Sequence, residues 1–321
     1  MTVAGCSGTV AAPSASAAPV KISSNAIVAN GVFAWLTQDQ GIFAKHGVAV
    51  DLQGFNAGQA AMNSLVAGEL DGAVYPGPQL ILSAQASGTD LKVVAELQTV
   101  YDFMLVVPDD VTSPEQLKGK KLGSTTTTSI STESAERLLH RSGLEAGKDY
   151  QFVSTGTTSG QATTVAALIA HEVDFATLAP DFANQVTSKG GHHVLVDLAK
   201  VDLPVAAQSL VFRASYVQQH ADVVQKVVDG LIEGVQFLKT HKTETEAMLK
   251  SRYQIDDQAA LDATYNREVE LLTNDPLPDK TQFAEEAAFA DKSGPQITDA
   301  TIAAVVEPRF VQAAEKRGLT K

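Results

Sequence analysis

The chain has 321 residues, 24 of them basic and 37 acidic, for a net charge of −13, and it carries one cysteine. The acidic balance argues against nucleic acid or an anionic membrane surface as partner, and a lone cysteine excludes an intramolecular disulfide and any multi-cysteine metal centre. No run approaches the roughly 18 apolar residues of a membrane span, and about 100–200 residues per domain makes this two modest domains or one lobed unit. In chain order, residues 1–20 are Ser, Ala, Gly and Pro-rich with no charge or aromatic ring, so they read as a flexible linker. Val20–Ile27 and Val48–Leu52 read as strands around a helix at about Phe33–His46. Lys92–Glu96 and Phe103–Val107 are further strands, and Lys121–Gly123 opens a second unit. Ser131–Ser142 is a helix ended by Gly143. Val194–Leu198 and Gln208–Phe212 return to strand, and from Ala221 the chain is mostly helical, over Val223–His241, Gln258–Asn274, Thr281–Asp291 and Asp299–Arg317. Strands alternating with helices predict an α/β fold of small, mainly parallel sheets covered by helices.

An internal repeat organises this string. Gly54, Gly58, Gln59 and Ala60 match Gly156, Gly160, Gln161 and Ala162, and after a one-residue shift Ala67, Glu69, Asp71 and Ala73 match Ala170, Glu172, Asp174 and Ala176. Each copy reads as a glycine-bearing loop, an amphipathic helix, a tight turn at Gly68 or His171 and a short buried strand. Two copies are too few for a solenoid and fit two similar lobes. The expected crossings between them are near Thr99–Phe103 and Ala206–Leu210.

Four segments carry a family resemblance. Trp35 to Val48, with Gly41-Ile42-Phe43 and Gly47 inside it, resembles the "tyrosine-valine-alanine … glycine-phenylalanine-phenylalanine … glycine" opening of solute-binding proteins of bacterial ABC importers. Gly54–Gln59 resembles the substrate loop of that family, Ala67-Gly68-Glu69-Leu70-Asp71-Gly72-Ala73 its "alanine-glycine-x-x-aspartate" turn, and Gln116-Leu117-Lys118-Gly119-Lys120 its approach to the second lobe. The group resembled serves sulfonates, taurine, nitrate and thiamine-pyrimidine precursors, and the match runs through residues 20–250 in order. The resemblance implies a two-lobed type II periplasmic-binding clamshell that closes by a hinge on one ligand and delivers it to a membrane permease. The expected division is a tail at 1–20, a first lobe from 21–102 plus 207–321, and a second from 103–206. Val3-Ala4-Gly5-Cys6 resembles a bacterial lipobox, with Cys6 the acylated residue of an extracytoplasmic lipoprotein in the periplasm or on the outer face of the cell membrane. A monomer without cofactor or metal is expected.

Ligands of open α/β sheets sit beyond the carboxyl ends of the strands, which selects Ser24–Trp35, Phe55–Gln59, Tyr75–Gln79, Ser124–Thr132 and Ala179–Phe182. None of these contains Lys, Arg or His, so an anion here is held by backbone N–H groups, hydroxyls and helix N-termini. Ser124–Thr132 carries eight hydroxyls in nine residues, and its Thr126, Thr127, Thr128, Ser129 and Ser131 serve either as ligand donors or as caps and turn formers. Asp181, beside Pro180, either meets a ligand ammonium or ring N–H or caps the following helix. Phe33, Trp35, Phe55 and Tyr75 are cleft walls or core. Asn30, Asn56, Gly58, Gln59, Pro76 and Gly77 complete the candidate contacts, Gln59 ranking above its repeat partner Gln161, while Arg213 is assigned to structure. A hydroxyl-rich, neutral site with one acid favours a taurine-like sulfonate zwitterion, with a small polar aromatic or pyrimidine precursor as the alternative. Catalysis is not expected. The adjacent His192-His193 pair lacks zinc spacing, no G-x-S-x-G elbow is present, and the cysteine-rich motif of same-fold fungal synthases is missing. A same-fold sensor or biosynthetic enzyme stays open as a further alternative.

Overall fold

The repeat folds into two copies of one supersecondary plan, seen in a computed structural model that describes residues 18–26, 28–74, 76–156, 160–284 and 295–320. Cys6, most of the linker and Tyr75 lie outside the described residues. The first copy runs β1 (Val20–Asn25), α1 (Val32–Asp39), α2 (Ile42–Lys45), β2 (Val50–Phe55), α3 (Gly58–Ala67), β3 (Gly72–Val74), α4 (Pro78–Ala86) and β4 (Leu91–Glu96). The chain then crosses to β5 (Met104–Pro108), β6 (Lys121–Ser124), α5 (Ile130–Arg141), β7 (Gln151–Ser154), α6 (Gln161–Ile169), β8 (Ala176–Leu178), α7 (Pro180–Thr187) and β9 (His192–Asp197), and returns as β10 (Ser209–Arg213). The first sheet has the order β2-β1-β3-β10-β4. In the second, β7 pairs with β6, a parallel bridge from Leu122 to Phe175 leads to β8, and β8-β5-β9 completes the same order.

The matching positions of the repeat do matching work. Asp71 accepts the Lys21 N–H at 2.9 Å and gives its own N–H to the Lys21 carbonyl at 2.9 Å. Asp174 does the same to Lys121, at 2.7 and 2.9 Å. Each aspartate thus fastens a helix–strand turn to the first residues of the strand beside it. The turns themselves need a left-handed residue: Gly68 has φ +82° and His171 φ +56°, the histidine adopting at some steric cost what glycine adopts freely.

Among the described strands, parallel pairing between one strand and another joins β1, β2 and β3 and their counterparts β6, β7 and β8. Each sheet also receives one strand from across the hinge: β10 lies antiparallel between β3 and β4, and β5 antiparallel between β8 and β9. The sheets are therefore mixed rather than mainly parallel, because a strand entering from the other lobe runs against its hosts. The two crossings run side by side, with the Leu97 N–H on the Gln208 carbonyl at 2.9 Å, Ala207 on Gln98 at 3.0 Å and Val205 on Thr99 at 3.3 Å.

The helical reading needs three corrections. Phe33–His46 is two helices, because Gly41 at φ +69° breaks it. Asp299–Arg317 is also two, α13 (Asp299–Val305) and α14 (Arg309–Lys316), divided by Pro308, which supplies no N–H to a continuing helix. After α8 (Ala214–Gln219) and α9 (Ala221–Thr240), an unforeseen α10 covers Lys242–Tyr253. Its stretch KTETEAMLKS is too polar to show an apolar stripe. Then come α11 (Gln258–Leu271) and α12 (Thr281–Ala284), the rest of the expected Thr281–Asp291 helix lying outside the described residues. Among the described residues no helix is long and apolar enough to cross a membrane.

One core joins the first sheet to α1, α9, α10, α11 and α14, through residues such as Ile22, Leu36, Val235, Leu249, Leu261 and Val311. A separate core around Leu105, Leu122, Leu139 and Phe175 holds the second sheet. Helices α1 and α9 approach closely at Gly234. A Cβ there would lie 1.8 Å from Thr37 Oγ1 and 2.9 Å from Thr37 Cβ, and Thr37 is fixed by donating to the Phe33 carbonyl at 2.6 Å. Gly234→Ala gains about 1 kcal/mol of helix propensity but overpacks this seam, at about 1–3 kcal/mol or more. The expected net result in chemical denaturation is a lower midpoint with an unchanged slope.

Glu96 ends β4 at the hinge, wholly buried. It accepts the Gln208 N–H at 2.8 Å and the Ser209 hydroxyl at 2.5 Å. Burial outweighs these donors and pushes its pKa up to about 8. The native state then holds a proton that the unfolded chain releases near 4.5, so this group's stabilisation is complete below the unfolded value and is lost as pH rises toward 8. Burial also raises Glu136, to about 7, with help from Glu133. Unfolding free energy is expected to fall between pH 5 and 8, and Glu96→Gln to make that slope shallower, as read by denaturation at a series of pH values.

Candidate functional site

The parallel units place the carboxyl ends of their strands, and the amino ends of the following helices, on the faces that the two lobes turn toward each other. Between them is a cavity of about 310 Å³. From the first lobe it is lined by Asn25, Val28, Asn56–Ala60, Asn63, Pro76, Gly77 and Leu80. From the hinge and second lobe come Phe103, Thr125, Thr126, Thr128, Ser129, Ile130, Ser131, Gly160, Gln161, Ala179 and Phe182. The lobes meet at its edge. A Cβ on Gly77 would stand 3.9 Å from Ile130 Cβ, and Val28 packs on the core of the second lobe.

Five helices begin at this cavity, and the residue capping each one lines it: Ala57 for α3, Gly77 for α4, Ser129 for α5, Gly160 for α6 and Ala179 for α7. Four of the five caps bring no side-chain acceptor; only Ser129 does, taking the Thr132 N–H at 3.2 Å. None of the described lining residues is Lys, Arg, His, Asp or Glu. The local field is therefore that of the helix starts, each equivalent to about half a positive charge with free N–H donors. Two of those starts are weaker, since Pro78 and Pro180 carry no N–H and Gln161 Oε1 takes the Ala179 N–H at 2.8 Å. Against this polar set stand the apolar side chains of Val28, Leu80, Phe103, Ile130 and Phe182.

The hydroxyl run is both cap and wall. Ser129 Oγ lies 3.1 Å from Ser124 Oγ, 3.0 Å from Ser131 Oγ and 2.9 Å from Thr132 Oγ1. Thr132 Oγ1 donates to the Thr126 carbonyl at 2.5 Å, and Ser154 Oγ to that of Thr125 at 3.0 Å. Beneath it α5 is anchored to the hinge, where Tyr101 bonds Glu133 and receives Arg137 Nη1 at 2.8 Å, while Arg137 Nη2 reaches the Pro204 carbonyl at 2.8 Å.

Of the residues singled out from sequence, Asn56, Gly58, Gln59, Pro76, Gly77, Thr126, Thr128, Ser129 and Ser131 are brought together on this lining. Others are not. Phe33 and Trp35 are buried in the first-lobe core, because α1 is clamped between the sheet and α9. Trp35 stands one layer behind the cavity: its Nε1–H donates to the Asn25 carbonyl at 3.0 Å, and the Arg252 guanidinium lies 3.4 Å over its ring. Asn30 is buried in a short helical turn and gives its carbonyl to Gln208 Nε2 at 2.9 Å. Phe55 packs on the inner cluster of Met62 and Leu65, and Thr127 points to solvent. Pro180 and Asp181 are half-buried behind the lining; burial raises the Asp181 pKa, and its charge is felt by Asp102 and Glu268 near the hinge. Arg213 is structural, donating to the Leu65 and Leu70 carbonyls at 2.7 and 2.5 Å at the end of α3.

Asn25, Val28, Asn63, Leu80, Phe103, Ile130, Gln161, Ala179 and Phe182 line the cavity without having been singled out. The available signal was positional: most fall within a few residues of a strand's carboxyl end or a helix cap, and Gln161 is the repeat partner of Gln59. Gln59 itself is exposed and donates to Asn63 Oδ1 at 3.0 Å. Among the described residues there is no group of three His, Cys, Asp or Glu side chains able to hold a metal ion.

Known structures share this architecture. The alkanesulfonate-binding protein SsuA from Xanthomonas axonopodis pv. citri, bound to MOPS, superposes with a TM-score of 0.74 at 18% identity, covering 92% of this chain and 99% of its own. The periplasmic aliphatic sulphonate binding protein SsuA of Escherichia coli gives 0.72 at 20% identity, with coverages of 88% and 95%. The periplasmic nitrate-binding protein NrtA from Synechocystis PCC 6803 gives 0.76 at 17%, with 93% and 88%. These likenesses establish the periplasmic-binding-protein fold. No curated protein matches the chain in sequence. The family described as NMT1/THI5 like does match, over residues 30–245, which take in every strand of both sheets but β1 and all of the cavity lining but Asn25 and Val28. The chain belongs to the NMT1/THI5-like family.

Proposed function

We propose that this chain is the extracytoplasmic solute-binding component of an ABC importer, and that its cleft captures a small monoanion with an apolar tail, a sulfonate first among them. The observation that carries the reading is the pairing of five helix starts with a described lining free of charged side chains. Backbone N–H groups and hydroxyls suit a singly charged oxyanion, which several donors share without a counter-ion. Phe103, Phe182, Leu80, Val28 and Ile130 suit an alkyl or aryl tail. The alkanesulfonate- and sulphonate-binding proteins of the same fold agree with this head and tail; nitrate, bound by another, has a head only. Taurine is less favoured than a plain sulfonate, because Asp181 stands behind the lining and no described carboxylate faces an ammonium. Delivery to a permease, acylation at Cys6 and a monomeric state complete the proposal. A second reading, a small polar aromatic or pyrimidine precursor, draws on the rings of Phe103 and Phe182 beside the amides of Asn25, Asn56 and Gln161.

A thermal-shift panel of butanesulfonate, benzenesulfonate, taurine, nitrate and an aminopyrimidine tests both. A ligand at 100 times its Kd adds about 2.7 kcal/mol, several degrees for a chain of this size. Butanesulfonate or benzenesulfonate is expected to give the largest shift. An equal shift with taurine would remove the argument from the missing carboxylate, and a shift with the aminopyrimidine alone would establish the second reading. Asn56→Asp puts a carboxylate at the start of α3, where it favours the helix by about 0.3–1 kcal/mol but repels an anion. Sulfonate binding is expected to weaken about tenfold or more, with no loss of melting temperature in the ligand-free protein.

A further inference from the structure

The Arg267 side chain bridges the hinge from outside. Helix α11 belongs to the first lobe: Leu261 and Tyr265 are buried in its core. The chain after α11 is bonded to the first-lobe end of the crossing, through the Thr273 N–H on the Leu97 carbonyl at 2.9 Å and the Pro276 carbonyl on the Glu96 N–H at 2.8 Å. Arg267, on the same helix, reaches over the crossing to the other side. Its Nε donates to Asp102, which lies between Tyr101 and Phe103 of the second-lobe core. Its Nη1 and Nη2 form a fork on the two carboxylate oxygens of Asp197, each at 3.0 Å. Asp197 ends β9 and stands opposite Met104, the first residue of the second lobe's exchanged strand.

We infer that Arg267 is a brace across the hinge, a positioning residue that holds the lobes in the closed arrangement and so sets ligand affinity without touching the ligand. The root of the guanidinium is fixed to one lobe and its acceptors to the other, so rotation about residues 98–102 and 205–208 shears the fork. A bidentate charged pair tolerates little displacement. The pair is also mostly shielded from water, with side-chain exposures of 17% for Arg267, 5% for Asp102 and 18% for Asp197. Asp181 on α7 acts on both Asp102 and the buried Glu268 of α11, and Asp102 acts on Glu268, while Lys200 lies 3.8 Å from Asp197 at the rim. Arg267 is thus the cation shared by a group of acids that belong to both lobes.

The brace applies to any hinged use of the cleft, and its affinity readout rests on the sulfonate reading above. Asp197→Asn keeps the cap on the Ala199 N–H, made now by Oδ1 at 3.2 Å, and removes the charge from the fork. Arg267→Gln removes the brace outright, and Asp197→Glu restores the charge. X-ray scattering of the ligand-free proteins and butanesulfonate binding kinetics are the readouts. Asp197→Asn and Arg267→Gln are expected to enlarge the radius of gyration and to weaken binding about tenfold or more, through faster release, with Asp197→Glu recovering part of both. A lower melting temperature in Asp197→Asn with unchanged radius and unchanged release rate would overturn the brace. If butanesulfonate does not bind the unaltered protein, the sulfonate reading fails by itself, and the radius of gyration of Asp197→Asn still decides the brace.

Discussion

A parallel β–α–β unit has a fixed polarity: the strand's carboxyl end and the next helix's amino end must lie on the same side. This chain applies that constraint five times around one cavity, with the starts of α3, α4, α5, α6 and α7. The consequence is an electropositive site built from peptide groups in a protein of net charge −13. A cleft of this kind does not need a lysine or arginine to attract an anion, and it does not bind one too tightly to release, because each helix contributes only a fraction of a charge. Proline at the start of α4 and α7, and the Gln161 side chain over the Ala179 N–H, reduce two of the five contributions further.

The second constraint is strand exchange. Because β10 is inserted between β3 and β4, and β5 between β8 and β9, neither sheet is complete without chain that has crossed the hinge. The two crossings are bonded to each other along Leu97–Thr99 and Val205–Gln208, so the lobes are joined by a short antiparallel ribbon. Side chains then accumulate on that ribbon from every direction: Glu96 and Ser209 inside it, Tyr101 with Glu133 and Arg137 from the second lobe, and Arg267 with Asp102 and Asp197 from the C-terminal helices. A polar hinge is costly to bury, and almost every charge in it is paired or neutralised by proton uptake.

The parts of this design that were legible in sequence are those set by local geometry or by repetition. Asp71 and Asp174 marked equivalent turns, and each proves to make the same pair of backbone bonds. Hydroxyls at Ser124–Thr132 marked a helix start. What was not legible depends on packing between distant segments. Trp35 and Phe33 lie at the cleft end of the chain's first helix, but the pressure of α9 turns them into the core, and no local pattern states which helix will cover α1. Phe103 reads in sequence as the first residue of a strand and becomes a wall only once the second lobe folds against the first, while Phe182 was reached only as the end of the Ala179–Phe182 loop. Arg267 lies in a helical stretch with no motif, more than 160 residues from Asp102, so its role is invisible without the tertiary structure. The polar helix α10 was missed for the opposite reason, its apolar contacts Met248 and Leu249 being too few to show a period.

The hydroxyl run shows why capping and ligand contact are not competing explanations. A serine or threonine hydroxyl has one hydrogen and two lone pairs, and Ser129 already accepts from Thr132 N–H while lying within 3.1 Å of two other serine hydroxyls. Ser124, Ser129 and Ser131 form a small ring in which either hydroxyl of each pair can donate. The ring satisfies itself and holds the start of α5 in place. On the sulfonate reading, an oxyanion arriving at Thr128, Ser129 and Ser131 would offer stronger acceptors, and the same hydroxyls would turn outward without moving the backbone they cap. On that reading the local structure that stabilises the helix is also the preorganised donor set for the ligand, its cost met when the domain folded.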